Sequence, residues 1–140
     1  MVIRVVTSQA PDAKPVPVNH RVTTTWFVLV EVPEYEVPEL VFGGSTTVEP
    51  GVAEIISPLV CCNTTANTAT VDVQVYRLND GNEYSLIKNL QIPGFDTIPI
   101  PLNGQFLKTG DQLQVKSDTD FAIHSTLSFT LGQSEEDDVV

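Results

Sequence analysis

Proline decides what this chain is able to fold into. Ten prolines are spread through 140 residues, and each removes a backbone donor and breaks a helix interior. Few long stretches escape one, and no window sustains apolar residues at i, i+3, i+4 and i+7. The residues between the prolines are strand formers, with 20 Val and 15 Thr against six Ala. β-branched side chains lose freedom in a helix and pack well on a pleated sheet. The sequence therefore predicts an all-β chain with at most one short helical turn.

The length supports one domain. An apolar content of 41% excludes a largely disordered chain. Seven Lys+Arg face 18 Asp+Glu, a formal net charge of −11. That balance speaks against a sequence-independent grip on nucleic acid, which needs a surplus of cations against phosphates, and against docking on anionic lipid. The longest uninterrupted apolar run, Trp26-Phe27-Val28-Leu29-Val30, is far short of the ~20 residues of a membrane helix. Met1–Val6 carries one positive charge and no long apolar stretch, so a secretory signal is not expected there. The expectation is a soluble, acidic protein of intracellular or particle-bound type.

Strand candidates follow from alternation and turn signals. Val2–Val6 is the first. Ser8 to Asn19 holds Pro11, Pro15 and Pro17 and predicts an extended arm or edge, suited to lying on a neighbour. Val22 to Val32 reads as the longest strand, with Thr24, Trp26, Val28, Val30 and Val32 on one face, and it is apolar on both. Pro33 to Glu39 reads as a loop or irregular edge, and Leu40-Val41-Phe42 runs into Gly43-Gly44. Thr46–Val48, Val52–Ile56 and Leu59–Cys62 are short strands. Ala69, Val71, Val73 and Val75 alternate with polar residues, the cleanest period of two in the chain. Asn79-Asp80-Gly81-Asn82 is a strong hairpin signal. Tyr84–Ile87 and Leu90–Ile92 return from it. Thr97–Leu102 holds Pro99 and Pro101 and can only be an edge. After a turn at Lys108-Thr109-Gly110-Asp111, Leu113–Val115 is expected to pair with the last strand, Phe121–Leu131. Phe121, Ile123, Ser125, Leu127, Phe129 and Leu131 form that strand's core face.

Residues able to carry chemistry are few. His20 and His124 are the two histidines. His124 precedes Ser125 on a strand, so the two side chains point to opposite faces and form no triad. Cys61 and Cys62 are adjacent; a zinc site needs spaced pairs, and a disulfide between strand neighbours would be strained. A thiol nucleophile using either histidine finds no local support. Asp111, Asp118 and Asp120 are weighed as a calcium site, but no calcium-loop spacing is present and Asp is an ordinary turn former. Asn63-Thr64-Thr65 fits a glycosylation sequon without a secretory context. Eight of the 18 acids fall in Glu31–Glu39 and Glu135–Asp138, runs that read as solvated surface. No catalytic residue, cofactor site or metal site is assigned.

Thr46-Thr47-Val48-Glu49-Pro50-Gly51-Val52-Ala53-Glu54-Ile55-Ile56 is followed by Leu59-Val60-Cys61-Cys62-Asn63-Thr64-Thr65 and the alternating Thr70–Val75. Tyr84-Ser85-Leu86-Ile87, Ile92-Pro93 and Leu107-Lys108-Thr109-Gly110-Asp111-Gln112-Leu113 come after them. In these segments, from Thr46 to Leu131, the chain resembles a family of small virion structural proteins of tailed bacteriophages, common among marine and cyanobacterial phages. It implies a packing role on a virion assembled in the host cytoplasm, with no catalytic residues to carry over.

Short strands about every ten residues predict a single antiparallel β-sandwich, Ig-like or jelly-roll-like. The expected division is an arm with additional strands over residues 1–45, a sandwich core over 46–131 and an acidic tail over 132–140. The first segment is assigned the assembly contacts, through Pro11, Pro15, Pro17, Trp26, Phe27 and Leu29. The expected partners are other capsid, neck or tail proteins and further copies of this chain, with no nucleic acid and no membrane. A carbohydrate- or receptor-binding module of a fibre or baseplate is the alternative, using Trp26, Tyr35, Tyr76 and Tyr84. A hydrolase using His124 or Cys61 is the weakest reading.

Overall fold

Asn79-Asp80-Gly81-Asn82 is the point about which the whole chain doubles back. Gly81 takes φ 72° and donates its N–H to Arg77 O at 2.8 Å, a left-handed conformation that glycine adopts without steric cost. The computed structural model describes residues 14–33, 35–38, 46–49 and 51–133. Outward from this turn the strands couple in four nested antiparallel pairs. β7 (Ala69–Arg77) pairs with β8 (Asn82–Ile92). β5 (Gly51–Ile55) and β6 (Leu59–Asn63) pair with β10 (Phe106–Lys108) and β9 (Thr97–Ile100). β2 (Phe27–Glu31) pairs with β11 (Gln112–Ser117), and β1 (Val16–Arg21) with β12 (Ile123–Gln133).

Two further pairings roll this long hairpin up. β12 meets β5 and β6, and β11 meets β7. Because β1 and β6 both pair with residues 124–126 of β12, they lie on opposite edges of it. β5 follows β6 along the same edge, the two being one strand broken at Ser57-Pro58. Ile56 N–H donates to Ser128 O and Ser128 N–H to Ser57 Oγ across that break. β9 and β10 likewise form one broken row. One sheet therefore runs β1, β12, β5/β6, β9/β10, and the other runs β2, β11, β7, β8. Counted as eight rows in chain order, these are 1-8-3-6 and 2-7-4-5, the order of a jelly roll. Among the described residues there is no helix.

The core lies between the sheets and follows the alternation. Ala69, Val71, Val73 and Val75 are buried, as are Leu113, Val115, Ala53, Ile55, Leu59 and Cys61. Ile123, Ser125 and Leu127 face inward from β12, while His124 and Thr126 face water.

Several expectations are corrected. Leu113–Val115 does not pair with the last strand; it lies between β2 and β7 in the opposite sheet, because residues 118–122 carry the chain across the sandwich. The strand expected over Val22–Val32 is only Phe27–Glu31, and Thr23–Trp26 forms a loop. Ser117 N–H donates to Thr23 O and Thr24 N–H to Asp120 Oδ1, which holds that loop away from strand pairing. A bulge opposite Leu113/Gln114 turns Leu29 and Val30 both inward, so the expected two-face alternation fails there. Phe121 is 59% exposed with φ 63°, ahead of the strand rather than on its core face. Tyr35–Pro38, within the segment expected as a loop or edge, is strand β3. It pairs with β4 (Thr46–Glu49) as a separate two-stranded ribbon. Val16–Arg21 and Phe27–Glu31 belong to the two sheets, so the sandwich begins well before residue 46. Val2–Val6, Leu40–Gly44 and the acidic run Glu135–Asp138 lie outside the described residues.

Each end of the sandwich is tied by one buried polar side chain. Asp111, 4% exposed, accepts from Arg77 Nη1 at 2.8 Å, Lys108 N at 2.9 Å and Leu78 N at 3.0 Å. Its own carbonyl accepts from Val32 N at 3.3 Å. At the other end Asn63 is fully buried. Its Nδ2 donates to Asn67 O and Ile92 O, and its Oδ1 accepts from Thr65 N and Oγ1. Asp111→Ala leaves the Lys108 and Leu78 amides unpaired and Arg77 Nη1 with only the Phe106 carbonyl, and is expected to cost about 3 kcal/mol. Asp118→Ala, which releases the exposed Thr70 amide, is expected to cost about 1 kcal/mol. Urea unfolding of both variants checks the order.

Candidate functional surfaces

Edge strands are where a β-protein is open to strand addition, and here all four edges are blunted. β1 carries Pro17 and follows Pro15; β9 carries Pro99 and precedes Pro101. β2 has five residues and the Leu29 bulge. β8 is long, but its register with β7 shifts twice, between Val71/Val73 and Val73/Gln74. Asn89 sits in the Val71/Val73 irregularity with φ 55°, its N–H held by Asp72 Oδ1 at 2.7 Å. The outer face of the β2-β11-β7-β8 sheet is closed in another way. Gln74 donates to Gln114, Gln114 to Gln112, and Gln112 to Glu31, a polar ladder already satisfied within the chain. Surfaces open to a ligand are therefore sought on the outer face of the other sheet and at the ends of the sandwich.

The outer face of the β1/β12 sheet holds a shallow depression of about 470 Å³. Register places Arg21, His124 and Cys62 side by side across β1, β12 and β6. Sequence reasoning did not bring Cys62 and His124 together, because only the pairing of distant strands does so. A thiol nucleophile needs its histidine oriented by a third group. Arg21, on the other side of His124, has no acceptor with which to hold a neutral imidazole. Cys61 faces the core, and burial pushes its thiol up to about 12, which removes the thiolate a nucleophile requires. Ser125 points inward and donates to His20 O at 3.0 Å. His20 shares that inward side and stacks on Phe27 across the sandwich, with ring centroids 3.6 Å apart and 9° between planes.

The remaining candidates separate. Asp111 lies before β11 and Asp118 after it, so the strand holds them apart. Asp118 accepts from Thr70 N and Asp120 from Thr24 N, and the carboxylates weighed for calcium serve as loop ties. Asn63 has both amide donors engaged, which leaves none for a glycan. Among the proposed assembly residues, Pro11 lies outside the described residues. Pro15 and Pro17 are exposed. Trp26 is 38% exposed, and the Lys116 ammonium sits 4.8 Å from its ring centroid. Leu29 is buried in this chain's own core, so it is not available to a neighbour.

A larger cleft, about 880 Å³, opens at the Asp111 end between β8 and β10. Leu78, Tyr84 and Phe106 present exposed apolar surface to it. Arg77, Lys108 and Asp80 supply its polar rim. The hydrogen bond from Tyr84 Oη lowers the Asp80 carboxyl and raises the phenol. Tyr76, also weighed as a sugar-binding aromatic, is half-buried on β7, and Tyr35 lies on β3. No protein-family model, curated protein or solved structure matches the chain.

Two measurements follow from these environments. Iodoacetamide is expected to label Cys62 in the folded chain and Cys61 only after unfolding, read by peptide mass spectrometry. Burial lowers the His20 pKa, and its Nε2 is buried without a partner. Folding thus favours the neutral ring. The stability this carries is full above the ordinary histidine value of about 6.5 and is lost as pH falls through the lowered value. His20→Phe keeps the stack on Phe27, and its stability relative to the parent is expected to rise as pH is taken from 7 to 5.

Proposed function

We propose that this protein is a non-enzymatic structural component of a tailed bacteriophage virion, either a capsid decoration or cement subunit or a neck or tail subunit. It acts through contacts with other virion proteins and further copies of itself. The observation that carries the reading is the ribbon of β3 and β4, a two-stranded sheet joined to neither large sheet. An isolated two-stranded ribbon is marginally stable in water and gains by docking on a neighbour. The residue-level likeness of Thr46–Leu131 to virion structural proteins points the same way. The jelly roll, an architecture of viral capsid proteins and of lectins, adds support by analogy alone.

The cleft beside Tyr84 and Phe106 favours a second reading, a carbohydrate- or receptor-binding module of a fibre or baseplate. Exposed aromatic faces next to polar groups suit sugar rings. Tyr84→Ala abolishing glycan binding, with particle incorporation never observed, would select that reading over the first.

Particle incorporation tests the structural reading. A truncation must stop at residue 13, since removing Val16–Asn19 takes away most of β1 and exposes β12. Loss of residues 1–13 is expected to leave the unfolding midpoint unchanged and weaken incorporation. Loss of Ser134–Val140 is expected to do little to either. The ribbon can be excised as well: a Cβ on Gly51 would lie 2.5 Å from Pro33 O, so the two ends of the 34–50 insertion meet. Replacing 34–50 by a short Gly-Ser link is expected to preserve the sandwich and abolish incorporation. Normal incorporation of the ribbon and arm deletions, scored by immunogold labelling, defeats the proposal.

A further inference from the structure

We propose that the Asn63 end of the sandwich is a docking surface for a Lys/Arg-rich segment of a partner protein, held by Phe95 and Phe121. Four loops meet at this end and are laced together. Phe121 N–H donates to Val22 O, Thr64 N–H to Ala122 O, and Phe95 N–H to Thr65 O. Phe95 and Phe121 are the two most exposed large apolar residues in the described structure, at 72% and 59%. Both occupy the left-handed region, with φ 58° and 63°. A bulky residue there is an outlier, and glycine or asparagine would hold the same turn at less cost. The chain thus keeps two phenyl rings in water on strained backbone, a pattern that points to use outside the fold.

Charge selects the occupant. The loops at this end carry Asp96, Asp118 and Asp120 and no Lys or Arg. Each carboxylate is fixed by a backbone amide, from Thr97, Thr70 and Thr24. A second copy would bring six such carboxylates face to face, and anionic lipid or nucleic acid is repelled. Ring faces beside fixed carboxylates suit ammonium and guanidinium groups. The chain already uses one ring in this way, with Lys116 over Trp26. The inference does not rest on the virion reading, because a basic segment can belong to any partner.

The test titrates the full-length protein with short poly-L-lysine and follows the fluorescence of Trp26, the only tryptophan, together with amide shifts by NMR. Phe95→Gly/Phe121→Gly leaves every charge in place. The expected result is a loss of affinity of about tenfold or more, the size of two cation–ring contacts, with an unfolding midpoint that is unchanged or raised. Shifts should centre on residues 22–26, 63–68, 93–96 and 118–122. Phe95→Asn/Phe121→Asn gives the same readout should the glycine pair fold poorly. Binding within twofold of the parent in both variants shows diffuse attraction to an acidic protein and overturns the proposal. So do shifts centred on the acidic segments 34–39 or 135–138, or a Trp26 response to maltohexaose in place of poly-lysine. Failure here leaves particle incorporation through the arm and ribbon standing, so the two readings fall separately.

Discussion

The fold closes on the carboxylate of Asp111. Three chain reversals meet there: the hairpin tip at Arg77 and Leu78, the turn at Lys108, and the exit of β2 at Val32. A rolled hairpin is served by such a tie, because no ladder joins its two sheets and the chain crosses between them only at the ends of the rows. A buried carboxylate is costly unless its charge is paired and its lone pairs are filled. Here one guanidinium and two amides fill them. The packing beside it is equally close: Gly110 takes φ 86°, and a Cβ there would lie 2.2 Å from Leu78 Cδ2. Sequence, turn geometry and pairing order agree at this one place.

The same closure explains where recognition is left to occur. Prolines and bulges blunt the four edge rows, and the glutamine ladder satisfies one outer face. A sandwich so finished has little tendency to grow by adding strands. Among the described residues the large apolar surface left exposed is local: the cleft beside Leu78, Tyr84 and Phe106, and the aromatic loops of the Asn63 end. Contacts made there can be specific without threatening the monomer, since none of them competes with a ladder hydrogen bond inside the two sheets.

Much of this was legible in the sequence because it is local. The Asp80-Gly81 turn, the alternation of Ala69–Val75 and the proline-bearing edge at Thr97–Ile100 are each decided by a few adjacent residues. What was not legible depends on partners far along the chain. Leu113–Val115 sits beside β2 and β7 only because the hairpin rolls, and no local pattern says which sheet a short apolar strand joins. Leu29 turns inward through a bulge whose cause is the register of β11. Cys62 and His124 become neighbours through strand pairing across 62 residues of chain. The ties made by Asn63 and Asp111 carry the ordinary signature of turn residues, so burial alone reveals their role.

Strain at Phe95 and Phe121 has to be absorbed by the structure around it. A left-handed bulky residue costs roughly 1–2 kcal/mol, and two of them take a noticeable share of the 5–15 kcal/mol that holds a domain together. They persist because their neighbours are over-determined. Asn63 fixes the loop whose carbonyl at Thr65 receives the Phe95 amide, and Val22, itself buried, receives the Phe121 amide. Had these loops been free, each phenylalanine would relax toward ordinary φ and turn its ring against the sandwich. The buried asparagine therefore supports the turn that keeps the Phe95 ring outside, and the buried Val22 segment does the same for Phe121, so the stability of this end and its capacity for recognition are set by the same ties.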